Sequence, residues 1–397
     1  MALKQNTWTL NQWYDQDVAG NVSYTGAQGI YSWGSSPYGE LGQNDTGAPA
    51  RRSSPVQVGS ETTWSSITGY FDGFFYGATK SDGTLWMWGA NTSGSLGTNQ
   101  GPSALTGRSS PTQIGSDTDW TRAYAGAKQC QYATKTDGSL WGWGYNGQGQ
   151  IAQNNATPGY SSPIQIGSDT TWPTANHKMG GHDYGTFAIK TDGTLWSWGG
   201  GNNGKLGLNT PDQQHYSSPT QIGSGSDWAT VSKPSRYMGA AIKTDGTLWM
   251  WGMGNYGQLG QNNNGDNHQY SSPVQIPGTT WKLVCGASQQ VHATKTDGTL
   301  WSWGRNTYGN LGHNNETSYS SPVQVGSSTD WDIPLNLANF GGGIKTDGSL
   351  WGCGYNGSAS LAQNDRTDRS SPVQIPGNWV DMAGSGEQST FLAMNLL

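Results

Sequence analysis

Lys190-Thr-Asp-Gly-Thr-Leu-Trp-Ser-Trp-Gly199 recurs almost unchanged at 80–89, 135–144, 243–252 and 295–304. A sixth copy, 345–354, has Cys353 where the others have their second tryptophan. Asp-Gly between two short runs of strand-forming residues predicts a hairpin with a two-residue type I′ turn, whose twist matches the flanking strands. Side chains alternate along a strand, so Trp196 and Trp198 share one face and Leu195 and Ser197 the other. Both faces are apolar or small, as expected of a strand packed between two layers. A unit repeated at this period sets the architecture.

The Trp-Gly marks stand at Trp33, Trp88, Trp143, Trp198, Trp251 and Trp303, with Cys353-Gly354 as the seventh, at spacings of 55, 55, 55, 53, 52 and 50 residues. After each mark comes an Asn- and Gly-rich loop ending at Asn44, Asn99, Asn154, Asn209, Asn262, Asn314 or Asn364. These asparagines are expected to bond local backbone. Next is Ser-Ser-Pro-x-Gln, read as a strand entered through proline. A tryptophan follows in every unit (Trp64, Trp120, Trp172, Trp228, Trp281, Trp331, Trp379), and a further strand leads back into the Asp-Gly hairpin.

Four short antiparallel strands per unit are the content of one propeller blade. Seven Ser-Ser-Pro elements stand against six complete hairpins. The chain ends on an unpartnered strand, Thr390-Phe-Leu-Ala-Met394, and begins on another, Ile30-Tyr-Ser-Trp-Gly34. The expected fold is an all-β, seven-bladed propeller of four-stranded antiparallel blades, its ring closed by the N-terminal strand completing the last blade. The blades expected from this count are 53–89, 109–144, 161–199, 217–252, 271–304, 320–354, and 370–397 with 29–34. Residues 1–28, with Trp8, Trp13 and Tyr14, form an N-terminal arm and a candidate docking segment; 29–397 is the propeller.

Gly makes up 61 of 397 residues and charged residues only 12%, a composition poor in helix formers. The 21 tryptophans, 19 of them at repeat positions, supply the apolar area that a Gly-rich chain needs for a core. A net charge of −6 provides no general attraction to nucleic acid or anionic membrane. Cys130, Cys285 and Cys353 form neither a disulfide framework nor a metal-ligand pattern. The N-terminus lacks a secretory core and no apolar run approaches membrane-spanning length, so synthesis in a reducing cytoplasm without signal-directed export is expected.

Gly257-Gln-Leu-Gly260 with Leu248-Trp-Met-Trp-Gly252 resembles the repeat of the regulator of chromosome condensation family, over about residues 29–397. The resemblance implies a seven-bladed propeller; its members include exchange factors for a small GTPase, an ultraviolet-B photoreceptor, inhibitors and adaptors. The basic tail of a chromatin-bound exchange factor is absent. The near-identical blades look more like versions from tailed bacteriophages, which implies a virion component on capsid or tail, made in the host cytoplasm.

No set of residues converges for catalysis, no cofactor motif occurs, and the six histidines lack metal-ligand spacing. The expectation is therefore a non-enzymatic interaction protein. Its partners would be other virion proteins or a host surface glycan or protein, with no nucleic acid, no membrane insertion, and a homo-oligomer as a further option. The alternative is a cytoplasmic regulatory adaptor resembling a GTPase regulator. Partner sites are sought where blades differ. The residue before Ser-Ser-Pro is Arg52, Arg108 or Arg369 on three adjacent blades and Tyr160, Tyr216, Tyr270 or Tyr319 on the rest. A second divergent zone, before the strand that enters the hairpin, holds Phe71, Phe74, Phe75, Lys128, His182, Tyr184, Arg236, Tyr237 and Phe340. Those aromatics are candidates either for a partner patch or for plugging the central channel.

Overall fold

A computed structural model describes residues 28–45, 50–69, 74–101, 107–156, 159–210, 213–233, 235–263, 265, 268–337, 339–385 and 390–396. These fold into seven four-stranded antiparallel sheets. The blade sequence is read from blade one: Trp64–Gly69, Phe75–Lys80, Leu85–Gly89 and Arg108–Gln113, paired in that order. The first strands of neighbouring blades pack against one another around the axis, so each blade's first strand is innermost.

The ring closes through the N-terminal strand, but blade boundaries lie one strand away from those expected. Every Ser-Ser-Pro strand pairs back onto the preceding Trp-Gly strand, not forward onto the next tryptophan strand. The closing blade therefore holds two strands from each end: Trp379–Ser385 and Thr390–Leu396, then Gln28–Ser36 and Ala50–Gln57. Gln28 to Gly34 pairs without a break against Leu396 to Thr390. Proline does not open the Ser-Ser-Pro strand either. In blade two, Tyr160 faces Gly144 and Ile164 faces Gly142, so Ser161-Ser162-Pro163 bulges past Trp143. A bulge suspends the ladder, and the missing proline N–H costs nothing there.

The hairpin tip is a three-residue loop, not type I′. In blade two, Gly138 N donates to Lys135 O at 3.0 Å and Lys135 N to Ser139 O at 3.1 Å. Only the glycine is left-handed, at φ +79°. That is a type I turn followed by a bulge glycine. Asp137 is thereby released from backbone duty. It accepts the Ser139 N–H at 2.9 Å, and Ser139 Oγ in turn accepts the Trp141 indole N–H at 3.0 Å.

Neighbouring blades are stitched by the same repeat residues. Trp303 is fully buried, and its indole N–H donates to Gln258 O of the blade before it at 2.9 Å. Trp33, Trp88, Trp143, Trp198 and Trp251 make the equivalent bond at 2.8–2.9 Å. Cys353 has only a weak counterpart: Asn310 O of the preceding blade lies 3.5 Å from its sulfur, but Gly341 O of its own blade is nearer, at 3.3 Å. The loop asparagines also act between blades, contrary to the expectation that they bond local backbone. Asn262, left-handed at φ +56°, donates its N–H to Ser320 O of the next blade at 2.8 Å.

Candidate functional site

The strand order gives the propeller two unlike faces. One carries the hairpin tips; the other carries the Asn-rich loops and the short loops between first and second strands. On the tip face each repeat lysine lies between two indoles. The Lys135 ammonium is 4.8 Å from the Trp120 ring and 4.9 Å from Trp141, and it pairs with Asp117 at 2.6 Å. Lys80, Lys190, Lys243 and Lys345 repeat this with Glu61, Asp169, Asp227 and Asp330. Cation–π packing and ion pairing use these lysines in the scaffold. The aspartates of the tips remain outermost; their own turn hydrogen bonds hold the Asp82, Asp192, Asp245 and Asp297 carboxyls below the ordinary range.

The rim residues sit on the loop face, opposite the left-handed glycine of each Trp-Gly mark. Arg369, Arg52 and Arg108 belong to blades six, seven and one, so the basic arc is contiguous, and Tyr160, Tyr216, Tyr270 and Tyr319 complete the circle. These side chains hold their own blade's loop. Arg369 pairs with Asp365 at 2.6 Å, Arg52 with Asp45 at 3.6 Å, and Arg108 donates to Gln100 Oε1 at 3.3 Å. Tyr319 Oη accepts from Asn315 at 3.2 Å. All seven are half-buried, which leaves their outer edges available.

The second divergent zone is mixed. Phe75 and His182 are fully buried, so neither is a surface contact as expected; both pack in the blades. His182 lies 5.5 Å from Phe187. Trp8, Trp13, Tyr14 and Phe71 lie outside the described residues. Phe74 leans on Tyr38, ring to ring at 5.0 Å, and Tyr38 is 54% exposed. Tyr184, Arg236 and Tyr237 come together with two residues not singled out for a site, Asp183 and Lys205. Arg236 Nε is 3.5 Å from Asp183, its guanidinium 5.3 Å from the Tyr237 ring, and Lys205 Nζ 5.9 Å from the Tyr184 ring. Lys128 is anchored to the same loop through its N–H to Asp183 O at 2.8 Å. One blade further, exposed Arg305 lies over Tyr256, which is 41% exposed. Blades two to five thus present cations and tyrosines together.

Among the described residues, the aromatics of this zone do not line the axial cavity. A cavity of about 60 Å³ on the axis is lined from all seven blades, among them by Arg122, Lys233, Asn336 and Asp381. Asp381 is buried, with Lys233 Nζ at 2.8 Å from one carboxylate oxygen and Arg122 at 3.8 Å from the other. Sequence reading missed this group because its members are spread over four units, Arg122 and Asp381 two residues after the blade tryptophan and Lys233 and Asn336 five after it. The available signal was a charge on an inner strand, where the other blades carry Ser, Thr, Leu or Ile.

The family model for the regulator of chromosome condensation (RCC1) repeat matches residues 82–130, 192–233, 245–291 and 297–332. Those four stretches, each running from a hairpin tip into the next unit, are similar to that repeat. It is 27% identical to the E3 ubiquitin-protein ligase HERC2 of Homo sapiens over 315 residues, 77% of this chain and 6% of that protein. It is 24% identical to the ultraviolet-B receptor UVR8 of Arabidopsis thaliana over 317 residues, 77% of this chain and 64% of the receptor. The chain thus spans less than two thirds of either relative. Among solved structures, Prp20p of Saccharomyces cerevisiae superposes with a TM-score of 0.78 at 15% identity, covering 95% of this chain and 93% of that one. Human WBSCR16 gives 0.77 at 19% identity, covering 93% and 99%. These structures share the fold.

Two histidines of this propeller contribute to its acid response. Burial, reinforced by the Lys233 ammonium, pushes the His177 imidazole down to about 4, and burial takes His292 to about 3. Groups held neutral in the fold bind fewer protons there than when unfolded. The stability they contribute is complete above the ordinary histidine value and is lost as pH falls from about 6.5 towards the folded values. For half-buried His177 the loss by pH 4 is on the order of 2 kcal/mol after solvent screening. His177→Asn, compatible with the left-handed backbone at φ +57°, is expected to flatten that share of a denaturant-derived stability profile between pH 7 and 4. An unchanged slope would remove His177 from the account.

Proposed function

We propose that this chain is a non-enzymatic regulatory adaptor whose loop face binds an acidic protein partner. The observation that carries the reading is the clustering of blade-specific cations and tyrosines on one face. Lys128, Tyr184, Arg236, Tyr237 and Arg305 lie there on blades two to five, and the half-buried rim arginines, held by their own loops, stand on blades six, seven and one. Arg and Tyr dominate interface hot spots, and a charged arc speeds encounter with a partner of opposite sign. The tip face, whose lysines are engaged by indoles and carboxylates, presents turn aspartates instead.

The relatives support protein recognition as a class. The Prp20p structure is described with that protein's binding to Gsp1p and histones, and a second structure holds the same yeast protein bound to Kap60. A place on a phage particle rests only on the look of the repeat; it predicts co-purification with particles, which separates it from the adaptor reading. The test of the adaptor is capture of host proteins on the immobilised chain beside a K128E/R305E variant and a tip-face Asp117→Asn control. Loss of about two charge contacts is expected to lower retention of the acidic partner at least tenfold for the loop-face variant alone. Equal retention by all three would refute it.

A further inference from the structure

The axial cavity carries more positive than negative charge and more donors than its own acceptors engage. Asp381 is its one carboxylate among the lining residues, and two cations face it. Lys233 Nζ is committed to Asp381 Oδ1 and to Met382 O, at 2.8 and 2.7 Å. Arg122 is not so committed: its terminal nitrogen stops 3.8 Å from Asp381 Oδ2, beyond hydrogen-bond distance. A guanidinium offers five donors in a rigid fork matched to carboxylate and phosphate, and here it stands on the wall of a cavity.

An acceptor stands in the same wall. Asn336 is 2% exposed, and its amide nitrogen donates to Gln290 O at 2.7 Å and Cys285 O at 3.3 Å. Those bonds fix the orientation of the amide, so its Oδ1 is the free end, and it has no hydrogen-bond partner among the described residues. A buried amide oxygen left unpaired costs about 1–3 kcal/mol, so a donor is expected to reach it. Burial raises the Asp381 carboxyl, but Lys233 and Arg122 more than offset this and keep it ionised, so Asp381 does not supply that donor.

We propose that the channel binds a small oxyanion that carries its own O–H. Its charged oxygens lie against the Arg122 fork, with Lys233 beside them, and its hydroxyl donates to Asn336 Oδ1. Hydrogen phosphate and short hydroxycarboxylates share this chemistry; sulfate, equal in shape and charge, lacks the proton. The cavity, about 60 Å³, suits a group of this size. Bound there, the anion ties blades two, four and six across the axis. The site lies inside the ring and is independent of the loop-face partner.

The test is calorimetry and thermal melting of the full chain at pH 7 and fixed ionic strength, with inorganic phosphate, lactate, malate and sulfate as probes. Phosphate or a hydroxycarboxylate is expected to bind at least tenfold more tightly than sulfate and to raise the melting temperature. Arg122→Lys, which keeps the charge and loses the fork, is expected to weaken that binding at least tenfold. Equal response to sulfate and phosphate, or no saturable binding of any O–H anion below 10 mM, on the order of the weakest specific sites, would overturn the assignment. Should Arg122→Lys fail to fold, the comparison of anions on the unaltered chain still decides.

Discussion

Gly138→Ala is expected to cost at least about 3 kcal/mol, whereas Gly115→Ala costs only about 1–2 kcal/mol. Both glycines are left-handed, at φ +79° and +64°, so both substitutions carry the backbone strain of an L-residue. They differ in surroundings. A Cβ on Gly115 meets nothing within 4 Å, while one on Gly138 falls 2.0 Å from Thr170 O. That carbonyl belongs to the segment leading into Trp172, whose N–H donates to Gly138 O at 3.2 Å. The hairpin tip of blade two must therefore withdraw and release the start of blade three. The same approach recurs at Gly193, Gly246 and Gly298. Equilibrium unfolding of the two variants side by side isolates the contact between blades; similar losses would show that the tips do not dock as described.

Truncating the buried tryptophan of a Trp-Gly mark is the other large expected effect. Trp303 fills the space between blades four and five, 5.9 Å from Trp281, with its N–H on Gln258 O. Trp303→Ala is expected to cost about 3–5 kcal/mol by cavity formation. Trp303→Phe keeps most of the packing and loses the bond, which at a buried carbonyl is about 1–3 kcal/mol. Trp301 is the control, since it is half-buried and its N–H reaches only Thr299 within its own hairpin, at 2.8 Å. Trp301→Phe should cost less than Trp303→Phe in denaturant melts, and the reverse order would contradict the assignment of bonds between blades. Cys353 is the chain's own variation on this theme: burial pushes its thiol up to about 12, so it stays protonated, between Gly341 O of its own blade and Asn310 O of the preceding one.

Blade number and closure were legible because the Trp-Gly marks and Ser-Ser-Pro elements can be counted. Strand grouping was not. Gln113 lies 7 residues from Trp120, whereas Gly89 lies 19 residues from Arg108, so proximity along the chain favours the wrong neighbour. The long loop is needed because it reaches sideways: Asn99 at its end bonds Ser161 of the next blade before the chain returns to its own sheet. The turn type was misread because Asp-Gly fits type I′, and only the phase of the flanking strands distinguishes the longer loop. Of the site residues, the rim was legible as a deviation from an exact repeat. Phe75 and His182 were not, since a deviation in sequence does not say which way a side chain faces. Arg122, Lys233 and Asp381 stand far apart in sequence on three different units, and only ring closure brings them together.

The reading of this propeller as an adaptor turns on which face meets the partner. Hydrogen exchange followed by mass spectrometry, on the chain alone and with its captured partner bound, measures that directly. The account predicts protection confined to the loop face, at 126–129, 183–184, 235–237 and 287–289, with unchanged exchange at the hairpin tips 136–138, 191–193 and 244–246. Protection of the tips with free exchange in those loops would contradict it.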